Sequence, residues 1–250
     1  MTHPAFFSFL LILLSPAIGS FLAVLADRLP RGEDVLRARS KCRGCERRLS
    51  AAELVPLLSF VRQRGRCRSC SAAIPPWTLY VELLALGAAV LAVLAGGTPT
   101  GIGLAALWLW LMITLGVADL LWFRLPDPLT LGVFVVALTI ALMPGGHGVT
   151  AAALGATLGA GSFLLLRWGY QRLRGQVGLG LGDIKLMAGL GAFAGPFDLP
   201  LLVLMAASVA LAAAFVTRDR DVGFDGGKAV PFGAALCVAA AFLWLIRAAQ

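Results

Sequence analysis

A membrane-spanning helix is predicted by residues 102–121, IGLAALWLWLMITLGVADLL. At about 1.5 Å per residue, these 20 residues are long enough to cross a hydrocarbon layer of about 30 Å. Comparable apolar stretches occur along the chain, so the sequence predicts an all-α polytopic membrane protein with about eight transmembrane helices. The predicted spans lie near residues 4–26, 79–96, 102–121, 128–143, 149–167, 184–197, 199–216 and 229–247.

The amino-acid composition excludes two other broad classes of protein. Of the 250 residues, 59% are hydrophobic and 14% are charged, whereas about 25% are charged in an average soluble domain. A soluble globular protein and a disordered protein are therefore both excluded. Most of the chain is expected to face lipid.

Basic residues are concentrated in one predicted loop, residues 27–78, which carries +7 of the formal net charge of +8. Basic loops of membrane proteins lie on the cytoplasmic side, which predicts a cytoplasmic loop and an N-terminus outside. The predicted outer turns, 97–101, 144–149 and 195–200, contain no Lys or Arg. Because topology accounts for the charge, nucleic acid is not expected as a partner. Arg247, at the outer end of the last predicted span, is the one basic residue that does not follow this positive-inside rule.

The predicted spans and the basic loop divide the chain into three regions. Residues 1–26 form a first transmembrane helix and residues 27–78 a cytoplasmic basic domain with four cysteines. Residues 79–250 are predicted to form a seven-helix transmembrane domain.

Two CxxC pairs in the basic loop indicate a metal site, with 21 residues between the pairs. Each pair can aim two thiolates at one point, and together they complete the tetrahedral S₄ geometry that Zn²⁺ favours. Such a zinc ion would be structural, because no coordination position stays open. Disulfides are an alternative, although the cytoplasm keeps thiols reduced, and an Fe–S cluster or redox-active dithiols are others. The predicted ligands are Cys42, Cys45, Cys67 and Cys70, while Cys237 is expected to be a packing residue in an apolar span.

Carboxylates are the remaining candidates for catalysis, because the chain has only two histidines, His3 and His147. Both are predicted to be solvated, so neither histidine is well placed for a Ser-His or Cys-His mechanism or for a His-ligated catalytic metal. Outside the basic loop, Glu82 lies in the cytoplasmic end of the second span. Polar turns account for Asp198, Asp219, Asp221 and Asp225. Three aspartates remain, Asp119, Asp127 and Asp183.

Of these three aspartates, Asp119 is the hardest to explain structurally, because it follows the apolar run Leu107–Ala118. A carboxylate at the centre of a membrane costs about 2.5–3.5 kcal/mol and usually serves a site or a pairing. Asp127 precedes Pro128, which is a helix start signal, so it has a structural interpretation as an N-cap. Asp183 has the same interpretation, although the glycines at 178, 180 and 182 also let the backbone of another chain come close.

Membrane topology places Asp119 and Asp183 on the same face. The third span runs from outside to inside and the sixth from inside to outside, so both aspartates meet the cytoplasmic face. Two carboxylates in one wet pocket can share a proton, one acting as acid while the other activates water, as in aspartic proteases. The sequence therefore predicts an aspartic dyad.

These residues stand within motifs that resemble the type IV prepilin peptidase family of membrane aspartic peptidases. The resemblance covers nearly the whole chain. Two positions differ from the family pattern, with Ala23 where Asn is usual and Thr78-Leu79 where Tyr-Pro is usual. The shared motifs are Gly19-Ser20-Phe21-Leu22, Arg28-Leu29-Pro30, the paired CxxC with Pro56-Leu57-Leu58-Ser59 and Gly65-Arg66-Cys67, Asp119 with Leu125-Pro126-Asp127-Pro128-Leu129-Thr130, Gly180-Leu181-Gly182-Asp183-Ile184-Lys185, and Pro231-Phe232-Gly233.

The resemblance implies an enzyme of the bacterial inner membrane that removes the short basic leader of type IV prepilins or pseudopilins at the cytoplasmic face. It implies that Asp119 and Asp183 are the catalytic pair and that S-adenosylmethionine methylates the new N-terminus. The first segment and the cysteine loop are associated with methylation in the family. Secondary candidate residues within its motifs are Asp127, Lys185, Glu82, Gly180 and Gly182.

Two other functions fit parts of the pattern. A proton-coupled transporter would also place aspartates in spans and glycines in broken helices, but its halves should repeat, and no convincing repeat is visible. A zinc-knuckle scaffold would explain the cysteine loop but not Asp119. A small-residue pattern at Gly155 and Gly159 indicates close helix packing, within or between chains.

Overall fold

The computed structural model describes residues 3–176, 178–216 and 230–249. The predicted inner turn that carries Asp219, Asp221 and Asp225 lies outside the described residues. The described residues form helices, turns and two isolated β-bridges, as the all-α prediction requires. The helices are α1 His3–Arg28, α2 Leu58–Arg62, α3 Pro76–Ala95, α4 Pro99–Trp122, α5 Asp127–Leu142, α6 Gly148–Arg174, α7 Leu181–Val216 and α8 Phe232–Ala248.

Five of these helices, α1, α3, α4, α6 and α7, are long and apolar enough to cross a membrane. Two more, α5 and α8, are apolar but shorter, with 16 and 17 residues. The predicted apolar segments therefore fall on helices, and the count of eight spans stays a prediction.

The chain forms two compact units, residues 1–114 and 115–250, and the boundary falls inside α4. In the first unit α1 packs against α3. The basic loop, with α2 and two short 3₁₀ turns, connects these two helices. In the same unit the indole nitrogen of Trp110 donates to the carbonyl of Ala85, at 3.0 Å. The predicted division at residues 26 and 78 stays a prediction.

In the second unit α7 is the central element, packing against α5, α6 and α8. The small-residue pattern of α6 meets this helix directly. A Cβ atom built on Gly155 would lie 2.1 Å from the carbonyl oxygen of Gly191. The backbones of α6 and α7 are thus in contact, as the pattern predicted, and the contact is within one chain.

The long helix α7 is broken at Gly195, whose φ of 70° and ψ of 176° are not helical. The sequence predicted an outer turn at residues 195–200, between the spans 184–197 and 199–216, and the break lies at the first residue of that turn. Only glycine adopts such backbone angles without strain. Pro196 follows at the first helical position of the second half, where its missing N–H costs nothing.

Three successive carbonyls at this break accept hydrogen bonds from other helices. The His147 ring nitrogen Nε2 lies 3.0 Å from the Ala192 oxygen. The Arg247 guanidinium donates to the oxygens of Phe193 and Ala194, at 2.8 and 2.6 Å, and also pairs with Asp198. Arg247, which did not fit the positive-inside pattern, is therefore explained as the cap of a helix break, and His147 has a partner although it is exposed.

Arg247→Ala is expected to lower the midpoint of thermal unfolding in detergent. The change removes the Arg247 donors to these two carbonyl groups, and loss of a partner by a buried polar group costs about 1–3 kcal/mol. Arg172→Ala, at an exposed position of α6, is the matched control. Equal midpoints for the two variants would contradict this explanation of Arg247.

Candidate functional site

Asp119 lies near the end of α4 and is 5% exposed. Its Oδ2 atom accepts the backbone N–H of Ala234, at 2.8 Å. Ala234 is in the first turn of α8, where backbone N–H groups have no partner within the helix. The Pro231-Phe232-Gly233 motif thus starts a helix whose N-terminus points donors at Asp119.

Asp183 is the third residue of α7 and is half-buried. Its Oδ2 accepts the backbone N–H of Gly180, at 3.2 Å. In a capping box the side chain at the third helical position accepts the backbone N–H of the residue before the helix, and Asp183 does this with Gly180. The capping interpretation of Asp183 is therefore partly correct. The Asp119 carboxylate is close enough to interact electrostatically with Asp183. The structure therefore brings together the two aspartates that topology placed on one face.

The glycine-rich approach to Asp183 is held by side chains from α6 and from the segment before α5. A Cβ atom on Gly178 would lie 2.7 Å from the ring of Tyr170, and one on Gly182 would lie 3.1 Å from Cβ of Leu125. Arg167 donates to the carbonyl of Leu179. Within this chain it is side chains that approach these glycines, and approach by the backbone of another chain stays a prediction.

Asp127 is the first residue of α5 rather than its N-cap, which is Pro126. The N-cap prediction is therefore wrong by one residue. Its carboxylate pairs with Lys185, whose Nζ donates to both oxygens at 2.7 and 2.8 Å. Both side chains are exposed, at 69% and 52%. This ion pair links the two aspartate motifs, because Lys185 lies two residues beyond Asp183.

The four predicted cysteine ligands converge. Their Sγ atoms all lie within 4.8 Å of one another, and those of Cys42 and Cys70 are 3.7 Å apart. Zn–S bonds of about 2.3 Å in a tetrahedron put neighbouring sulfurs about 3.8 Å apart, so the spacing fits Zn²⁺. All five cysteines of the chain are free thiols. The arrangement therefore fits a metal rather than disulfides.

The backbone of each CxxC turn favours the thiolate of its first cysteine and lowers the pKa of Cys42 and Cys67. At Cys70, burial and the neighbouring thiols outweigh the N–H of Ala72 and raise the pKa to about 11. Each CxxC turn is closed by an isolated β-bridge, Lys41 with Arg48 and Arg66 with Ala73. Backbone N–H groups of Cys70 and Ser69 lower the pKa of the Cys67 thiol to about 6. Thiolate is the form that binds metal, so this environment favours ligation at neutral pH.

Glu53 joins the first CxxC turn to the following segment. Its carboxylate accepts the backbone N–H and the hydroxyl of Ser50, each at 2.9 Å, and pairs with Arg47. The N–H of Ser50, together with Arg47, lowers the pKa of Glu53 to about 2.

Glu53→Gln is expected to destabilise the protein at neutral pH and to have a shrinking effect in acid. The folded-state pKa of about 2 lies below an unfolded value of about 4.3. The stabilisation is therefore complete above the unfolded value and is lost as pH falls toward the folded one. Thermal midpoints of wild type and variant between pH 7 and pH 3 measure this. A difference that stays constant over that interval would contradict it.

Glu82 lies in α3 and is 9% exposed. Its Oε2 accepts the backbone N–H of Leu57, at 2.7 Å. Leu57 has a φ of 59°, which is strained for leucine and aims this N–H at the helix. Glu82 also lines a cavity of about 460 Å³ between the basic loop, α1 and α3, together with Asp27, Phe60 and Trp77. The cavity belongs entirely to the first unit.

Two known protein families match successive parts of this chain. Residues 13–95 match the bacterial peptidase A24 N-terminal domain, and residues 106–216 match the type IV leader peptidase family. A prepilin leader peptidase/N-methyltransferase of Aeromonas hydrophila is 36% identical, over 94% of this chain and 90% of its own length. The chain belongs to the type IV leader peptidase family. Proteins with the same name from Dichelobacter nodosus and Pseudomonas putida are each 30% identical, over 91% and 97% of this chain and 87% and 92% of their own.

No solved structure matches this type IV leader peptidase. The match to the leader peptidase model contains Asp119, Asp127 and Asp183. The match to the N-terminal domain contains the four cysteines of the basic loop and Glu82. The resemblance inferred from the motifs is therefore confirmed, and the chain is an enzyme of the bacterial inner membrane.

Several residues of this leader peptidase around the candidate site were not found by sequence reasoning. Arg167 and Tyr170 hold the glycine-rich segment, and Cys237, buried in α8 as expected, lies within electrostatic range of both aspartates. No sequence pattern near Tyr170 predicts the contact of its ring with Gly178. Cys237 could have been found from the motif at the start of α8, because it lies on the same helix as the donors to Asp119.

Proposed function

We propose that this leader peptidase removes the short basic leader of type IV prepilins or pseudopilins at the cytoplasmic membrane face, using Asp119 and Asp183. The observation that carries the proposal is the electrostatic proximity of these two carboxylates from distant helices, with a backbone donor on each. The substrate's apolar helix would lie in the same bilayer, so it can reach the site by lateral diffusion.

The pair supplies general acid and general base chemistry. With one shared proton, the ionised carboxylate takes a proton from water, which attacks the peptide carbonyl. The neutral carboxyl group donates its proton as the amine leaves, and the proton taken from water restores the acid. The N–H donors from Ala234 and Gly180 hold the carboxylates in place through this cycle.

A transporter is less well supported by the geometry. The discontinuous helices of transporters leave carbonyl groups free to coordinate a transported ion. At the break in α7 the carbonyls of Phe193 and Ala194 instead accept from Arg247. A fixed guanidinium occupies the place where a cation would bind.

The direct test is incubation of the purified, detergent-solubilised protein with a prepilin, followed by intact-mass analysis. The expected result is loss of a mass equal to the leader. A prepilin of unchanged mass, with enzyme that keeps its zinc and its thermal transition, would contradict the proposal.

We also propose that the cavity beside Glu82 binds S-adenosylmethionine, so that the protein methylates the new N-terminus. A volume of about 460 Å³ is within the 300–1,000 Å³ usual for small-molecule sites. Among the described residues, the other cavity carboxylates have arginine partners, Asp27 with Arg31 and Arg43 and Glu53 with Arg47, whereas Glu82 has none. A buried carboxylate without a cation fits the positive sulfonium that supplies the methyl group, and the aromatic side chains of Phe60 and Trp77 in the cavity lining suit an adenine.

Glu82→Gln is expected to weaken binding of S-adenosylmethionine about tenfold, equivalent to ~1.4 kcal/mol. Glutamine keeps an oxygen that can accept from Leu57 but removes the charge. Isothermal titration calorimetry measures the affinity, and prepilin cleavage by the same preparation checks that the enzyme is intact. Glu33→Gln, at an exposed position outside the cavity, is the control. Equal affinities for the two variants would exclude Glu82 from the site.

A further inference from the structure

The short helix α2 of the basic loop has two unlike faces. Ser59 and Phe60 line the cavity, whereas Leu58 and Val61 are 64% and 67% exposed. Leu58 and Val61 are three residues apart, so they lie on one side of the helix. Val55, in the turn before it, is 42% exposed. We call Val55, Leu58 and Val61 the α2 apolar face.

The hydrogen bond between Leu57 and Glu82 fixes the depth of this face. Glu82 is the seventh of the 20 residues of α3, a helix long and apolar enough to span a membrane. It therefore lies about 9 Å along the helix from Pro76. Because the N–H of Leu57 is 2.7 Å from the Glu82 carboxylate, the start of α2 lies beside the second turn of α3, at the end of this helix that is expected to meet the membrane boundary.

The exposed residues around the α2 apolar face are of the types that contact lipid. On α3 itself, Leu83 and Leu84 are 47% and 52% exposed just beyond Glu82, as expected for side chains that meet lipid. Leu57, the residue before α2, contacts Glu82, the residue before Leu83. Arg62 and Arg64 follow on the same segment and are exposed. Basic side chains beside an inserted apolar face bind the phosphates of anionic lipids.

We propose that α2 is an interfacial helix, with Val55, Leu58 and Val61 inserted into the bilayer boundary and Arg62 and Arg64 on anionic headgroups. The basic loop is then attached to the membrane at its middle as well as at its two ends. The attachment holds the wall of the cavity that contains Phe60 against the membrane surface. This proposal does not depend on the proposed catalytic function.

The test uses the full-length protein in nanodiscs that contain anionic lipid, with an environment-sensitive fluorescent amino acid at one position at a time. Positions 58 and 61 are compared with Leu84, on the exposed face of α3, and with Ser69, an exposed residue of the second CxxC turn. Quenching by lipids brominated near the headgroup reports insertion. Unchanged thermal midpoints show that each labelled protein is folded.

Quenching at positions 58 and 61 is expected to be within about twofold of that at position 84 and well above that at position 69. Replacement of anionic by neutral lipid should reduce it. Quenching at 58 and 61 no greater than at 69 would overturn the proposal. Protection of these positions from aqueous iodide without quenching by brominated lipid would point to a protein partner and would also overturn it.

Discussion

Asp119→Asn and Asp183→Asn should each abolish leader removal while the protein still inserts and accumulates. General acid and base catalysis contributes roughly 10²–10⁴-fold to a rate, and a dyad loses both functions when one member is neutralised. We therefore expect a fall of at least about a thousandfold in the rate of prepilin cleavage, measured by intact mass over time. Wild-type cleavage by either variant would refute the dyad assignment.

Asparagine is the matched replacement because it keeps the shape of each side chain. Its carbonyl oxygen can still accept from Ala234 or Gly180, the partners of the native carboxylates. Loss of activity would then report on proton transfer rather than on folding. Asp127→Asn is the internal control, since its carboxylate is exposed and pairs with Lys185. This variant is expected to retain most of its cleavage activity. Complete loss of activity in Asp127→Asn would indicate that Asp127 is a catalytic residue.

Removal of the metal should have the second large effect. Structural zinc sites contribute about 10–16 kcal/mol of apparent binding free energy in small domains, and that energy is folding energy. The basic loop has little core of its own, because Cys67 is its only buried apolar residue between Glu33 and Ile74. Cys67→Ser is therefore expected to release the zinc and to open residues 33–74 to limited proteolysis.

Zinc content by mass spectrometry and the sites of proteolytic cleavage measure this effect. Cys237→Ala is the control, because Cys237 lies in α8 and outside the metal cluster. It should keep one zinc ion per chain. A Cys67→Ser protein with unchanged zinc content would rule out the four-cysteine site. Iron in place of zinc in the wild-type protein would show that the four cysteines hold an Fe–S cluster.

The features that could be predicted from sequence are those with a local signal. Apolar length predicted the helices, and the CxxC spacing predicted which four thiols would meet. The convergence of Asp119 and Asp183 needed one further step, the alternation of helix direction across a membrane. The break in α7 lies within the predicted turn 195–200, but that turn contains two prolines, and composition alone does not say which residue takes the non-helical angles.

Other features depend on partners distant in sequence and could not be predicted. Lys185 meets Asp127 across 58 positions, and Leu57 meets Glu82 across 25. Arg247 contradicted a charge rule because its role is to pair with backbone carbonyls of another helix. In each case the residue type was visible, but nothing in the surrounding pattern identified the other partner.

The bond from Leu57 to Glu82 gives the first unit a natural reporter. A backbone amide held by a buried carboxylate exchanges its hydrogen for deuterium only when that bond opens. Any molecule that fills the neighbouring cavity and engages Glu82 will change the exchange rate at Leu57. Deuterium uptake by a peptide covering residues 54–60 can therefore identify ligands of this cavity without a label and without a catalytic assay.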